Sequence, residues 1–83
     1  MTQVERYLDW LRYGRELSDN TIKSIENDLK QFTGTLEDAI RMDVEMFVMK
    51  QNKNGLSSAT VARRVASLKG FFEWQIEKLG LLD

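Results

Sequence analysis

Two stretches of this chain carry the same pattern for beginning a helix. Residues 17–22 read Leu-Ser-Asp-Asn-Thr-Ile, and residues 56–61 read Leu-Ser-Ser-Ala-Thr-Val. In each stretch the serine suits the N-cap position, because its side-chain oxygen can accept from a backbone N–H one turn into the helix. The leucine before it and the aliphatic residue four positions after it have the spacing of a hydrophobic staple. The pattern therefore predicts two capped helices, whose N-caps are Ser18 and Ser57.

The same two helix starts have features of a phosphate-binding site. Each begins with small hydroxyl residues and carries basic residues in its second turn, Lys23 in one and Arg63 and Arg64 in the other. A helix N-terminus offers unpaired N–H groups and a partial positive charge, which favour an anion. The simpler interpretation is that these are two well-capped helices whose arginines face solvent.

Apolar residues recur at helical spacing in four segments, with only short connections between them. Three of the segments are followed by a glycine that suits a helix stop: Gly14, Gly34 and Gly80. Residues 52–55 have the composition of a turn. Residues 35–40 form a short connector that is either helical or extended. The predicted helices cover about 2–13, 18–32, 42–51 and 57–79. Their predicted inward stripes are Val4, Tyr7, Leu8 and Leu11, then Ile22, Ile25, Leu29 and Phe32, then Val44, Phe47 and Val48, and last Val61, Val65, Leu68, Phe72, Ile76 and Leu79. The sequence predicts an all-α protein, a compact four-helix bundle forming one domain over residues 1–83.

Composition restricts the chemistry. The chain has no Pro, which suits long helices, and it has neither Cys nor His, which removes thiolate zinc ligands, a cysteine nucleophile and the commonest acid–base catalyst. Asp38, Asp43 and Glu45 do not form a convergent metal cage at helical spacing. We therefore expect no catalytic residues, no metal site and no cofactor. No apolar run reaches the length of a membrane span and the N-terminus lacks a signal-peptide pattern, so a cytoplasmic location without membrane contact is expected.

Charge is distributed unevenly along the chain. The net charge of −1 combines an acidic part, residues 1–49 with six basic and ten acidic residues, and a basic part, residues 50–83 with six basic and three acidic residues. A basic face matters more for nucleic-acid binding than the total charge. On a helical wheel, one flank of the fourth helix collects basic, hydroxyl and small residues without an acid: Thr60, Arg63, Arg64, Ser67 and Gly70, with Trp74. Segregation of this kind favours an anionic partner.

Aromatic and sulfur-containing residues have structural interpretations that compete with functional ones. Trp10 and Trp74 are expected to be core or rim residues rather than platforms for base stacking. Met42, Met46 and Met49 could line an adaptable binding groove, but we expect them to fill gaps in the core.

Three sequence patterns together resemble a known family. Residues 55–74 read GLSxxTVxRRVASLKxFFxW, residues 17–32 read LSxNTIxSxxxDLxxF, and residues 43–47 read DVxxF. These patterns are similar, in order and in separation, to the fourth, second and third helices of the core-binding domain of tyrosine recombinases. This domain is the SAM-like N-terminal domain of phage and Xer-type integrases. The similarity extends over nearly the whole chain.

The resemblance implies that a four-helix domain packs on one side of double-stranded DNA while a separate C-terminal catalytic domain, expected to be absent from this chain, grips the other side. Helices 2 and 4 would face the major groove, and the chain would be a non-catalytic part of a DNA integration and recombination enzyme. Its partners would be DNA, its own catalytic domain and sister recombinase subunits. The DNA-binding positions implied are Asn20, Thr21, Lys23 and Ser24 on the second helix and Ala59, Thr60, Arg63, Arg64, Ser67 and Lys69 on the fourth. With this face, Arg63→Ala and Arg64→Ala are expected to weaken DNA binding and to leave stability nearly unchanged.

A helical protein–protein interaction module is the alternative interpretation. Its contacts would come from the acidic first half of the chain and from exposed aromatic residues such as Trp10 and Tyr13.

Overall fold

The computed structural model describes residues 2–32 and 41–79, together with all side chains in these ranges except those of Arg41 and Leu79. Four helices account for most of these residues, and no strand occurs among them. The helices are α1 (Gln3–Asp9, continued by a π-helical turn at Trp10–Gly14), α2 (Asp19–Lys30), α3 (Arg41–Lys53) and α4 (Ser58–Leu79). The all-α four-helix prediction is confirmed. The predicted connector and the predicted stops at Gly34 and Gly80 lie outside the described residues.

Both predicted N-caps are present. Ser18 Oγ accepts from the N–H of Thr21 at 3.3 Å, and Ser57 Oγ accepts from the N–H of Thr60 at 3.2 Å. In each pair the two hydroxyl groups also bond to one another at 3.0 Å. The repeated sequence pattern therefore produces the same local structure twice.

The first helix ends in a wider turn than the sequence indicated. The N–H of Arg15 donates to the carbonyl of Trp10 at 3.0 Å, a bond that spans five residues and defines the π-helical turn. Gly14 was expected to stop this helix and does lie at its end, but the residue with left-handed geometry is Glu16, whose φ is 55°. The chain then passes into α2.

The turn between α3 and α4 is a Schellman motif. The N–H of Gly55 donates to the carbonyl of Asn52 at 3.0 Å, and the N–H of Leu56 donates to the carbonyl of Gln51 at 3.3 Å. Gly55 has φ of 81°, which a residue with a Cβ adopts only at a cost. Helix α3 therefore continues two residues beyond its predicted end, to Lys53, before the chain reverses.

The core surrounds α4 and is rich in aromatic rings. Tyr7 on α1 lies with its ring centroid 5.5 Å from the centroids of both Phe71 and Trp74. Phe71 and Leu68 are fully buried, and α2 contributes Ile22 to the same cluster. Helix α1 thus covers the second half of α4. Tyr7 approaches so closely that a Cβ placed on residue 70, a glycine, would lie 2.8 Å from the tyrosine hydroxyl oxygen.

The buried face of α4 differs from the predicted one by a rotation of roughly 75° about the helix axis. Phe71 and Trp74 are buried, whereas Ile76, predicted to point inward, is 40% exposed and Val65 and Phe72 are half-buried. The cause is the position of α1, whose Tyr7 packs on the side of α4 that carries the two rings. The expectation that Trp74 is a core residue is confirmed.

Helix α3 departs from prediction on its outer side. Met42, Met46 and Met49 are 63%, 61% and 69% exposed, so the expectation that they fill the core is wrong. Phe47 anchors the helix instead, with its ring centroid 5.5 Å from that of Phe32 at the end of the α2 segment. No helix within residues 2–32 and 41–79 is long and apolar enough to cross a membrane.

Candidate nucleic-acid interface

A buried carboxylate connects α2 to α4. The Asp28 side chain is only 2% exposed, and both of its oxygens accept hydrogen bonds from α4. Arg63 Nη2 donates to Oδ1 at 2.9 Å, and Ser67 Oγ donates to Oδ2 at 2.8 Å. A buried charge is tolerated when it is paired and hydrogen-bonded in this way. The contact therefore fixes one helix against the other.

The same contact orients Arg63. One guanidinium nitrogen is held by Asp28, but 56% of the Arg63 side chain remains exposed. Because Arg63 is tied at one end of its guanidinium, its remaining N–H groups are available to an anion at the surface, and less side-chain entropy is lost when that anion binds.

The neighbouring arginine points elsewhere. Arg64 Nη1 donates to Oε1 of Gln51, a buried residue on α3, and Arg64 Nε is buried without a hydrogen-bond partner. Arg64 is therefore half-buried between α4 and α3 rather than solvent-facing. The two consecutive arginines thus brace α4 against two different helices.

The first half of α4 presents a small and basic outer surface. Its exposed positions carry small side chains together with Arg63 and Lys69, and no acidic residue occurs in α4 before Glu73. The small residues are Ser58, Ala59, Ala62 and Ala66. Side chains of this size allow another molecule to approach the helix backbone closely. Of the other predicted positions on α4, Thr60 and Ser67 are half-buried, and Ser67 acts through its bond to Asp28.

The predicted positions on α2 are all exposed, but they do not lie on one side of the helix. Thr21 lies two turns and Ser24 one turn before Asp28 on its side of the helix, whereas Lys23 lies on a different, solvent-facing side. Asn20 lies between these two directions. The structure thus groups Thr21 and Ser24 with the stripe that meets α4 and sets Lys23 apart.

The two repeated helix starts differ in charge. Helix α2 has Asp19 in its first turn, and its carboxylate lies 3.5 Å from Arg12 Nε. Helix α4 has no acid in its first turn. Since the helix dipole attracts negative charge to both starts, the start of α4 is the better anion site of the two, because no carboxylate competes there.

Asp28 and Gln51 are not among the site residues predicted from the sequence. A signal for Asp28 was available, because it falls three positions after Ile25 and one before Leu29, at the edge of the apolar stripe of α2. A carboxylate there has to find a partner when the stripe is buried. For Gln51 the sequence offered no such signal.

Trp10 does not form a free stacking surface. Its ring is half-buried against the core, with Arg15 Cζ 5.8 Å and Lys78 Nζ 5.6 Å from the ring centroid. Tyr13, by contrast, is 74% exposed. Among the described residues no group of three or more acidic side chains is placed to hold a metal ion.

Comparison with known families assigns this four-helix protein to the SAM-like domains. Residues 4–78 match the family described as phage integrase, N-terminal SAM-like domain, and the chain belongs to this family. The resemblance found in the sequence is therefore confirmed.

The curated relatives are tyrosine recombinases. The chain is 34% identical over 80 residues to tyrosine recombinase XerC of Herpetosiphon aurantiacus, a match that covers 87% of this chain and 26% of the relative. It is 40% identical over 78 residues to XerC of Roseiflexus castenholzii, a match that covers 84% of this chain and 25% of that relative. It is 35% identical over 80 residues to XerD of Listeria monocytogenes, a match that covers 86% of this chain and 27% of that relative. The chain thus spans about a quarter of the length of these relatives. No solved structure gave a significant match.

Proposed function

We propose that this domain binds double-stranded DNA through α2 and α4 and serves as a non-catalytic part of a tyrosine recombinase. The observation that carries the proposal is that Arg63 is both anchored and exposed. Its guanidinium is anchored by the buried Asp28 and is still more than half exposed, on an outer helix surface of small residues without an acid. A fixed cation on a surface that allows close approach suits the DNA backbone.

The proposed roles follow from exposure and chemistry. Arg63 and Lys69 on α4 neutralise phosphates, as does Lys23 on its separate side of α2, and the start of α4 offers its N–H groups to another phosphate. The hydroxyls of Thr21 and Thr60 add phosphate contacts. Asn20 and Ser24 can read base edges in the major groove, where amide and hydroxyl groups distinguish base pairs. Ala59 lets α4 approach the groove, and Ser67 positions Arg63 through Asp28. Arg64 holds the edge of the interface in place through its hydrogen bond to Gln51 on α3.

The remaining partners are proposed from membership of the family. A tyrosine recombinase would combine this domain with a catalytic domain that closes on the opposite side of the duplex, so that the two form a clamp. Sister subunits would assemble on the same DNA, in the cytoplasm.

A ¹⁵N chemical-shift titration of the domain with a short duplex tests the proposal. Shifts should cluster at residues 20–24 and 59–69, with an affinity of about 10⁻⁴ to 10⁻⁶ M, the range of non-specific binding. Three phosphate-neutralising side chains predict a slope of log affinity against log salt of roughly −2.7. Shifts confined to α1 and α3, or no shifts at low salt, would overturn it.

A further inference from the structure

Three methionines form an apolar stripe on the surface of α3. Met42, Met46 and Met49 follow one another at spacings of four and three residues, so they lie on one side of the helix. That side faces away from the core, in which Phe47 is buried. Each methionine is more than 60% exposed. A contiguous apolar stripe on a charged protein is characteristic of an interaction surface, and methionine adapts readily to the shape of a partner.

Two opposite charges line one edge of this stripe. Asp43 lies in the first turn of α3 and Lys50 lies in the last turns, seven residues later and on the same side of the helix. Together with Met46 and Phe47 they line a groove of about 320 Å³. The edge therefore has an acidic end and a basic end with the middle of the methionine stripe between them.

This pattern is complementary to itself. When two copies of α3 lie antiparallel about a two-fold axis at Met46, each Asp43 comes opposite the partner's Lys50, because the same edge of both helices meets across such an axis. Met42 then comes opposite the partner's Met49, and the two Met46 side chains meet at the axis. The N-terminus of each helix also lies beside the C-terminus of the other, so the two helix dipoles are antiparallel, which is favourable. In a parallel arrangement the two Met46 side chains could still meet, but the Asp43–Lys50 and Met42–Met49 pairings would not form.

We propose that the outer face of α3 is a homodimer interface, in which two copies of this domain pair antiparallel through the methionine stripe and through two Asp43–Lys50 contacts. One helix of 13 residues provides a smaller surface than a standard interface, so the dimer is weak and forms at high local concentration. The face lies on α3, and it makes no use of the α2 and α4 residues proposed for DNA.

Sedimentation equilibrium of the 83-residue chain without DNA measures the association directly. We expect dimers with a dissociation constant of about 1 mM or below, and concentration-dependent ¹⁵N shifts confined to α3. Met46→Gln should weaken the dimer at least tenfold, whereas Ile76→Gln, an equally polar change at an exposed apolar site on α4, should not. Thermal melting verifies that both variants fold.

A charge exchange tests the antiparallel register. Asp43→Lys alone and Lys50→Glu alone each place like charges opposite one another, and both should be monomers. Mixing the two variants should restore dimers, because every facing pair is then of opposite sign. A wild-type chain that stays monomeric at about 1 mM overturns the proposal, as does a mixture that fails to associate. Neither result bears on DNA binding, which is measured separately.

Discussion

Arg63 and Asp28 form an ion pair whose two ends lie in different environments. The carboxylate of Asp28 is 2% exposed while the side chain of Arg63 is 56% exposed, and their nearest atoms are 2.9 Å apart. One end of the pair therefore supports the packing of α2 on α4, and the other end faces any molecule that approaches the surface. A single side chain in this position serves both stability and binding.

Arg63→Ala should destabilise the fold, which revises the expectation from sequence that stability would be nearly unchanged. Removing the guanidinium leaves the buried Asp28 with Ser67 as its remaining donor on α4. We expect the free energy of unfolding to fall by about 1–2 kcal/mol. This is less than for a fully buried ion pair, because the Arg63 side chain is about half exposed. Urea unfolding measures this loss of stability. Lys69→Ala, an exposed change on the same helix, should stay within about 0.5 kcal/mol. If Asp28→Asn does not reduce the cost of Arg63→Ala, the two residues are not coupled as described.

The phosphate contacts can be counted from salt dependence. If Lys69 neutralises a phosphate, Lys69→Ala should make the slope of log affinity against log salt shallower by about 0.9 and should weaken binding equally for different DNA sequences. Lys53→Ala on α3 is the matched control and should leave the slope unchanged. Fluorescence anisotropy with a labelled duplex at several salt concentrations gives both values. Equal slopes for the two variants would remove Lys69 from the interface.

Gly70→Ala should destabilise the protein, although alanine is the better helix former. The added Cβ would lie 2.8 Å from the hydroxyl oxygen of Tyr7, which the surrounding rings hold in place, so we expect a loss of about 1–2 kcal/mol. With Tyr7→Phe the nearest remaining ring atom is 3.9 Å away, and the same change should become neutral or stabilise by up to about 1 kcal/mol. Thermal unfolding of the four variants measures this reversal of sign. A loss of equal size in both backgrounds would rule out the hydroxyl as the cause.

Tyr7 also predicts a response to alkaline pH. Burial raises the pKa of the Tyr7 hydroxyl, against an opposing effect of Arg15. The folded state therefore holds this proton more tightly than the unfolded state, so the contribution to stability is constant below the ordinary tyrosine pKa of about 10 and is lost as pH rises above it. Between about pH 8 and about pH 11 the wild type should lose more stability in urea than Tyr7→Phe does. Parallel curves for the two proteins would contradict this assignment.

The N-cap of α4 should contribute measurably to stability. Ser57→Ala removes the acceptor for the N–H of Thr60 and should cost about 1 kcal/mol. Ser58→Ala is the control, since Ser58 is the exposed first residue of the helix and alanine is favourable there. Denaturation curves compare the two changes. Equal effects would show that the cap bond adds nothing beyond helix propensity.

Local features of this protein could be predicted from sequence because they depend on neighbours along the chain. Ser18 and Ser57 cap their helices through bonds to the third residue onward, and Gly55 closes α3 through a motif of adjacent residues. The order of the four helices and the resemblance to the family likewise follow from the sequence. The candidate DNA-binding positions on α2 and α4 stay predictions, although the structure gives Arg63 and Arg64 different surroundings.

The amino-acid sequence by itself determined the helices and their caps, since these follow from interactions within one or two turns. Only the tertiary structure decided which face of α4 is buried, because the ring of Tyr7 on a distant helix selects Phe71 and Trp74 over Ile76. It also decided that Asp28 restrains Arg63 and that the methionines of α3 stay outside. Packing between helices depends on pairs far apart in the chain, and helical periodicity alone does not specify those pairs.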